Sequence, residues 1–349
     1  MLEDLLPKDN ETMQLPLDGP VTPAEPQGFA PDQMIRCDEC LRANPPTRVS
    51  CLYCSAALPH DESTAKLRKP VLRQPEKHEL GFNCIPLLNQ HEKLTGVARA
   101  EAAKLLKLST EELEHLLLAK VSLPIARTAN KDEAQLVLER LREWGVAIMT
   151  ISDEELGVGE QNISRIRGML IEDDSVTVYQ TAGKDAVVID WSKVSLIVAG
   201  RLVTRKVELS ERLTRRGENE IIDSSQFFSD EPVFDLYSSD LAQTFRVGAN
   251  SFDFSCLNEQ KSLVAGENLN RLKAHVNAKA VNVTLDTSYT QVKNLLDLVW
   301  PSEQETQSRG WRRDSPGKYS VGESLLNSNE TQFTRYSRLR HYFSAAGPR

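Results

Sequence analysis

No run in this chain approaches the 18 or so apolar residues that a membrane-spanning helix needs, and the longest apolar stretches, such as VSLIVAG at 194–200, are strand-sized. The amino terminus, MLEDLLPKDNE, is acidic and lacks the positive lead and apolar core of a secretory signal, so a cytoplasmic location is expected. An excess of positive charge is also missing. The balance of 42 Lys and Arg against 50 Asp and Glu, net −8, argues against attraction of the whole molecule to nucleic acid or anionic lipid.

The local signatures of common enzymes are absent as well. There is no G-x-S-x-G elbow, no G-x-x-x-x-G-K-[ST] phosphate loop, no H-E-x-x-H and no G-x-G-x-x-G. The six histidines, at 60, 78, 91, 115, 275 and 341, have no paired ligand spacing. Acidic pairs at Asp173-Asp174 and Asp230-Glu231 fall in expected turns. A catalytic site would have to gather residues from distant segments, and a pocket uniting Asp190, Arg246 and Asp253 is the arrangement that would reveal one.

What is present is a concentration of sulfur. Four of six cysteines fall between Cys37 and Cys54, spaced C-x2-C-x10-C-x2-C. In a reducing compartment such clusters serve as thiolate ligands rather than disulfide partners. Each C-x2-C knuckle turns two sulfurs toward one ion, and two knuckles complete the tetrahedral S4 shell that Zn2+ prefers. Cys37, Cys40, Cys51 and Cys54 are therefore the expected ligands of one structural zinc, with no coordination position left open. Cys84 and Cys256 stand alone and read as small apolar residues.

With Asn44-Pro45-Pro46 between the knuckles and Leu58 after them, residues 35–58 resemble short bacterial zinc ribbons, although Leu41 and Ser55 stand where those ribbons carry glycine. Asn44 at C-x3-N and Arg48 three residues before the third Cys also resemble the Ran-binding-protein type of zinc finger. The RNA-gripping members of that family place aromatic residues where this chain has Ile35 and Pro45, so RNA binding is not carried over. A segment this small has almost no apolar core, so its folding energy is expected to come from metal binding, on the order of 10–16 kcal/mol.

Elsewhere the expected organisation is α+β and multidomain. Residues 1–34, with six prolines and seven acids against one Lys, read as a disordered leader. A linker spans 59–84 and an α/β module 85–156. In that module helices run from Ala98 to Leu106 and onward from the capping box Ser109-Thr-Glu-Glu112, VSLPIA at 121–126 is strand-like, and a helix capped at Asn130 precedes a strand at AIMTI. This α-α-β-α-β pattern resembles the carboxy-terminal domain of the bacterial ribosomal stalk protein, which implies an adaptor-type fold without catalytic residues.

Residues 160–300 read as a β-rich domain with closing helices. Short strands are expected at 169–171, 175–179, 186–190, 194–198 and 202–207, with a polar break near 210–230. Further strands follow at 233–237, 244–247 and 251–256, then helices at 259–275 and 288–300. This order, with the turn at Ile189-Asp-Trp191, resembles pleckstrin-homology-like barrels. Residues 301–349 read as a flexible basic and aromatic tail. Within it Phe333, Tyr336, Leu339 and Phe343 share one side of a helix that docks on the body in the preferred reading.

The leading functional expectation is a zinc-binding, non-catalytic adaptor or regulatory protein whose partner is another protein. The alternative is a nucleic-acid-associated factor using Arg36, Arg42 and Arg48 of the ribbon with Arg335, Arg338 and Arg340 of the last segment. An enzyme with its site in the β-rich region is the third reading.

Overall fold

The computed structural model describes residues 28–59, 67–76, 79–88, 94–159, 163–181, 184–213, 219–239, 243–315 and 318–346. Most of the expected leader, His60, His78, His91 and the turn at 182–183 lie outside the described residues. The chain forms two units, Met1–Leu67 and Arg68–Arg349. Among the described residues no helix is long and apolar enough to cross a membrane.

In the first unit, β1 (Ile35–Arg36) pairs antiparallel with β2 (Ala43–Asn44). Its small core consists of buried Cys37, Cys51 and Leu58, with Ile35, Cys40 and Ala56 packed around them.

The second unit opens with β3 (Phe82–Pro86), α1 (Gly96–Leu106), α2 (Thr110–Leu118), β4 (Ala126–Thr128), α3 (Lys131–Glu143) and β5 (Ile148–Ser152). The capping box forms as expected: the Glu112 amide donates to Ser109 Oγ at 3.1 Å and the Ser109 amide to Glu112 Oε2 at 2.7 Å. Asn130 caps α3 by accepting from the Glu133 amide at 2.8 Å. That helix buries Ala134, Val137, Leu138 and Leu141 and ends at Gly145, whose φ of +80° suits glycine. Two features depart from expectation. The central strand of the sheet is β3, flanked by β4 and β5, in a segment read as the end of a linker. The strand expected at 121–126 begins only at Ala126, although the buried Ile125 donates its amide to the Cys84 carbonyl of β3 at 2.9 Å.

The β-rich part contains β6 (Ile163–Arg165), β7 (Gly168–Ile171), β8 (Ser175–Thr181), β9 (Lys184–Asp190), β10 (Val194–Leu213), β11 (Asn219–Ser238) and β12 (Thr244–Gly248). There follow α4 (Ala265–Lys279), β13 (Thr284–Asp286), α5 (Tyr289–Leu296), β14 (Glu303–Ser315), β15 (Lys318–Ser328) and α6 (Glu330–Ala346). Strands β7, β8 and β9 form a meander. A larger mixed sheet runs β14-β15-β10-β11-β12-β6, with β13 parallel to the first part of β10.

The expected polar break at 210–230 is a correction: β10 and β11 stay paired from Val194↔Ser238 to Leu213↔Asn219. Phe227 and Phe228, 57% and 63% exposed, show that part of this ladder lies uncovered. Along 224–230 no side chain is buried, so there is no hydrophobic alternation to read. The segment expected as a strand at 251–256 becomes a 3-10 helix at Phe254–Gln260, and the following helix starts at Ala265 rather than Glu259.

The flexible tail is also corrected. Residues 303–328 form a hairpin whose second strand pairs with β10 from Thr204 to Arg212. Helix α6 then buries Phe333, Tyr336 and Leu339 completely. Asn329 fastens the junction: its Oδ1 accepts from the Val203 amide at 2.6 Å and its Nδ2 donates to the Arg201 carbonyl at 3.0 Å.

These additions join the two expected middle domains. One core contains Leu113, Leu138 and Ile151 from the α/β segment together with Leu196, Tyr289, Trp300, Phe333 and Tyr336. A second core lies between the β7–β9 meander, strands β10–β12 and α4, around Val178, Trp191, Phe234, Phe245 and Leu272.

Candidate metal centre

The two knuckles are built alike. In the first, the Leu41 amide donates to the Cys37 carbonyl at 2.9 Å and the Cys37 amide to the Arg42 carbonyl at 3.0 Å. In the second, the Ser55 amide donates to the Cys51 carbonyl at 3.1 Å and the Cys51 amide to the Ala56 carbonyl at 2.8 Å. Leu41 and Ser55 complete these turns with φ of 59° and 62°. The left-handed turn that glycine makes without strain is therefore made here by two side-chain-bearing residues.

Asn44 ties one knuckle to the other. Fully buried, it accepts from the Leu52 amide at Oδ1 (2.8 Å), and Nδ2 donates to the Arg42 carbonyl at 3.0 Å and to Cys51 Sγ at 3.4 Å. The Tyr53 amide adds a second donor to Cys51 Sγ at 3.4 Å. Such donors stabilise the thiolate over the thiol. Burial pushes the Cys51 thiol up, but the amides of Tyr53 and Cys54 and the Asn44 side chain outweigh it and bring it down to about 6.

All four sulfurs lie within 4.8 Å of one another. Cys37 and Cys54 are 3.6 Å apart and Cys40 and Cys51 3.5 Å. A tetrahedral ion with bonds of about 2.3 Å would separate its sulfurs by about 3.8 Å, so the residues fit the group. Cys37, Cys40, Cys51 and Cys54 are positioned to bind one metal ion. Cys37 and Cys51 are buried whereas Cys54 is exposed, and four thiolates around a tetrahedral ion leave no position for substrate.

The remaining anticipated site residues are dispersed. Arg36 Nε donates to the Leu41 carbonyl at 3.0 Å, Arg48 Nε to the Ser50 carbonyl at 3.1 Å, and the Arg42 guanidinium lies 4.6 Å from the Tyr53 ring centroid. In the second unit Arg335 and Arg338 are 7% and 8% exposed, and Arg340 pairs with Asp286 at 2.5 Å. Arg335 and Arg338 thus lie buried beside the aromatic stripe of α6 and Arg340 is partly buried, where an exposed cationic surface was expected.

Asp190, Arg246 and Asp253 do not converge. Arg246 is fully buried and binds Asp235 through Nε at 2.7 Å and Nη2 at 2.8 Å. Asp253 is exposed and caps the Phe254–Gln260 turn by accepting from the Ser255 amide at 3.0 Å, and Asp190 is also exposed. Cys84 is fully buried and its thiol is pushed up to about 12 by desolvation, while burial raises Cys256 to about 11. Neither environment favours a nucleophilic thiolate.

A polar cluster that sequence reasoning did not anticipate surrounds Asp153. This fully buried carboxylate faces Arg127, Asn83 and Arg335, brought together from β3, β4, the end of β5 and α6. No local spacing could have announced it.

Comparison with known protein families, curated proteins and solved structures finds no match.

Proposed function

We propose that the chain is a zinc-binding, non-catalytic adaptor or regulatory protein that uses its ribbon to engage another protein. The observation that carries this reading is the convergence of four thiolates at S4 spacing, a ligand set suited to holding a fold together. Its surface supports a docking role. Leu41, Leu52 and Tyr53, on or beside the knuckles, are 60%, 52% and 55% exposed.

The finer likenesses belong to the same reading. Asn44, at the C-x3-N position of the Ran-binding-protein-type finger, bridges the knuckles. The order α1-α2-β4-α3-β5 supports the stalk-domain-like adaptor, and two sheets around one core with α4 against it support the pleckstrin-homology-like one. Zn2+ as the ion and the cytoplasm as the location complete the proposal.

The test is quantitative affinity capture from the native cell with zinc-loaded wild type and a Leu41→Ala/Tyr53→Ala variant that retains its metal. A protein partner recovered by the first and lost by the second is expected. Equal capture by both, or turnover of a defined substrate, would overturn the reading. Retention on single-stranded nucleic acid that falls with salt and with Arg36→Ala/Arg42→Ala/Arg48→Ala would favour the nucleic-acid alternative.

A further inference from the structure

Arg335 on α6 is a buried guanidinium with one donor unmet. Its Nε has no hydrogen-bond partner, and Asp153 Oδ1 is 3.7 Å away, beyond hydrogen-bonding distance. Asp153 is already committed. Its Oδ2 accepts from the Gly81 amide at 3.0 Å and from Nε and Nη2 of Arg127 at 3.1 and 2.5 Å, and its Oδ1 accepts from Asn83 Nδ2 at 2.9 Å. Two guanidiniums therefore share one buried carboxylate. Desolvation, with Arg127 nearby, lowers the pKa of Arg335. A buried charge is stable only when paired and hydrogen-bonded.

Arg335 and Arg127 both line a cleft of about 190 Å3 together with Trp300, Pro301, Glu76 and Glu303. This volume is smaller than the roughly 300–1,000 Å3 of sites for drug-sized ligands, so the occupant is small. A planar carboxylate matches a guanidinium fork. A phosphate dianion would meet repulsion from Glu76 and Glu303, whereas an ammonium group beside the carboxylate would be attracted by them.

We propose that this cleft binds a free α-amino acid, with its carboxylate on Arg335 and its ammonium group toward Glu303 and Glu76. The site is independent of the metal centre and of the ribbon's docking role.

The experiment is isothermal titration of the full, zinc-loaded chain with glycine and a panel of larger α-amino acids. Acetate, methylamine and inorganic phosphate form separate arms. Saturable binding of one or more amino acids is expected, weakened at least about tenfold when either charged group is missing from the probe. Arg335→Lys should abolish binding. Glu303→Gln, at a half-exposed position, should weaken it about tenfold while leaving the unfolding midpoint unchanged, so that a folding defect in Arg335→Lys does not decide the outcome. No saturable binding at millimolar amino acid, phosphate binding as tight as the best amino acid, or unaltered affinity in Glu303→Gln would overturn the proposal.

Discussion

Trp300 Nε1 donates a 2.8 Å hydrogen bond to Oδ1 of Asn83, a residue 217 positions earlier. Both side chains are buried, and Asn83 passes the connection to Asp153 through its Nδ2. The bond joins the central strand of the three-stranded sheet to the segment that follows α5. Since β3 pairs with β4 and β5, the bond ties that sheet to the helical segment around α5 within the second unit.

Trp300→Phe keeps most of the apolar volume but leaves Asn83 Oδ1 buried without its donor. The expected cost is about 1–3 kcal/mol, measured as a lower urea midpoint. Because the core is shared, circular dichroism and tryptophan fluorescence should report one coincident transition for the second unit. Independent unfolding of the α/β segment would contradict the shared core.

Arg246 and Asp235 form a bidentate pair with side-chain exposures of 1% and 0%, and Arg246 also lies 4.9 Å from the Phe333 ring centroid. Arg246→Met strands the buried Asp235 carboxylate and should cost about 3–5 kcal/mol, whereas Asp235→Leu leaves Arg246 its contacts to Glu330 at 3.1 Å and Thr334 at 3.2 Å and should cost less. The double variant should recover a large part of that loss, since two apolar side chains replace both charges. A double-mutant cycle by denaturant unfolding reads the coupling directly, and simple additivity would show that the pair contributes nothing specific.

His341 stacks on Tyr237 with ring centroids 4.4 Å apart and planes at 15°. Desolvation, then the nearby Arg338 charge, lowers its pKa below the ordinary value, which is about 6.5. Below that pH the unfolded chain takes up a proton that the folded chain resists. Stability from this residue is thus intact above about pH 6.5 and falls as the pH drops toward the depressed folded value. His341→Phe preserves an aromatic ring and should flatten this component. Parallel stability curves for wild type and variant between about pH 5 and 7 would contradict the assignment.

Legibility in the sequence followed the physics of each element. Helices α2 and α3 were readable because their caps are local and their apolar stripes repeat with the helical period. The cysteine cluster was readable because two knuckles bring four sulfurs together within 18 residues. The end of β10 and the beginning of β11 were not, since a strand stretch such as 224–230, with no buried side chain, shows no alternation. Nor was β3, a five-residue strand carrying Cys84 and Asn83 and ending in Pro86, whose central position is fixed by neighbours far along the chain. The last helix was half legible: Phe333, Tyr336 and Leu339 marked its buried side, but basic composition disguised Arg335 and Arg338 as surface. The Asp153 cluster, assembled wholly by tertiary structure, left no local trace.

The most direct test of the account is the metal content of the purified full chain by elemental analysis, repeated on Cys37→Ser and Cys51→Ser variants. One zinc per chain is expected in the wild type, with loss of stoichiometric zinc and of ordered ribbon resonances in either variant and on chelation. A wild-type chain that carries no stoichiometric metal, or a ribbon that stays folded after the ion is removed, would contradict it.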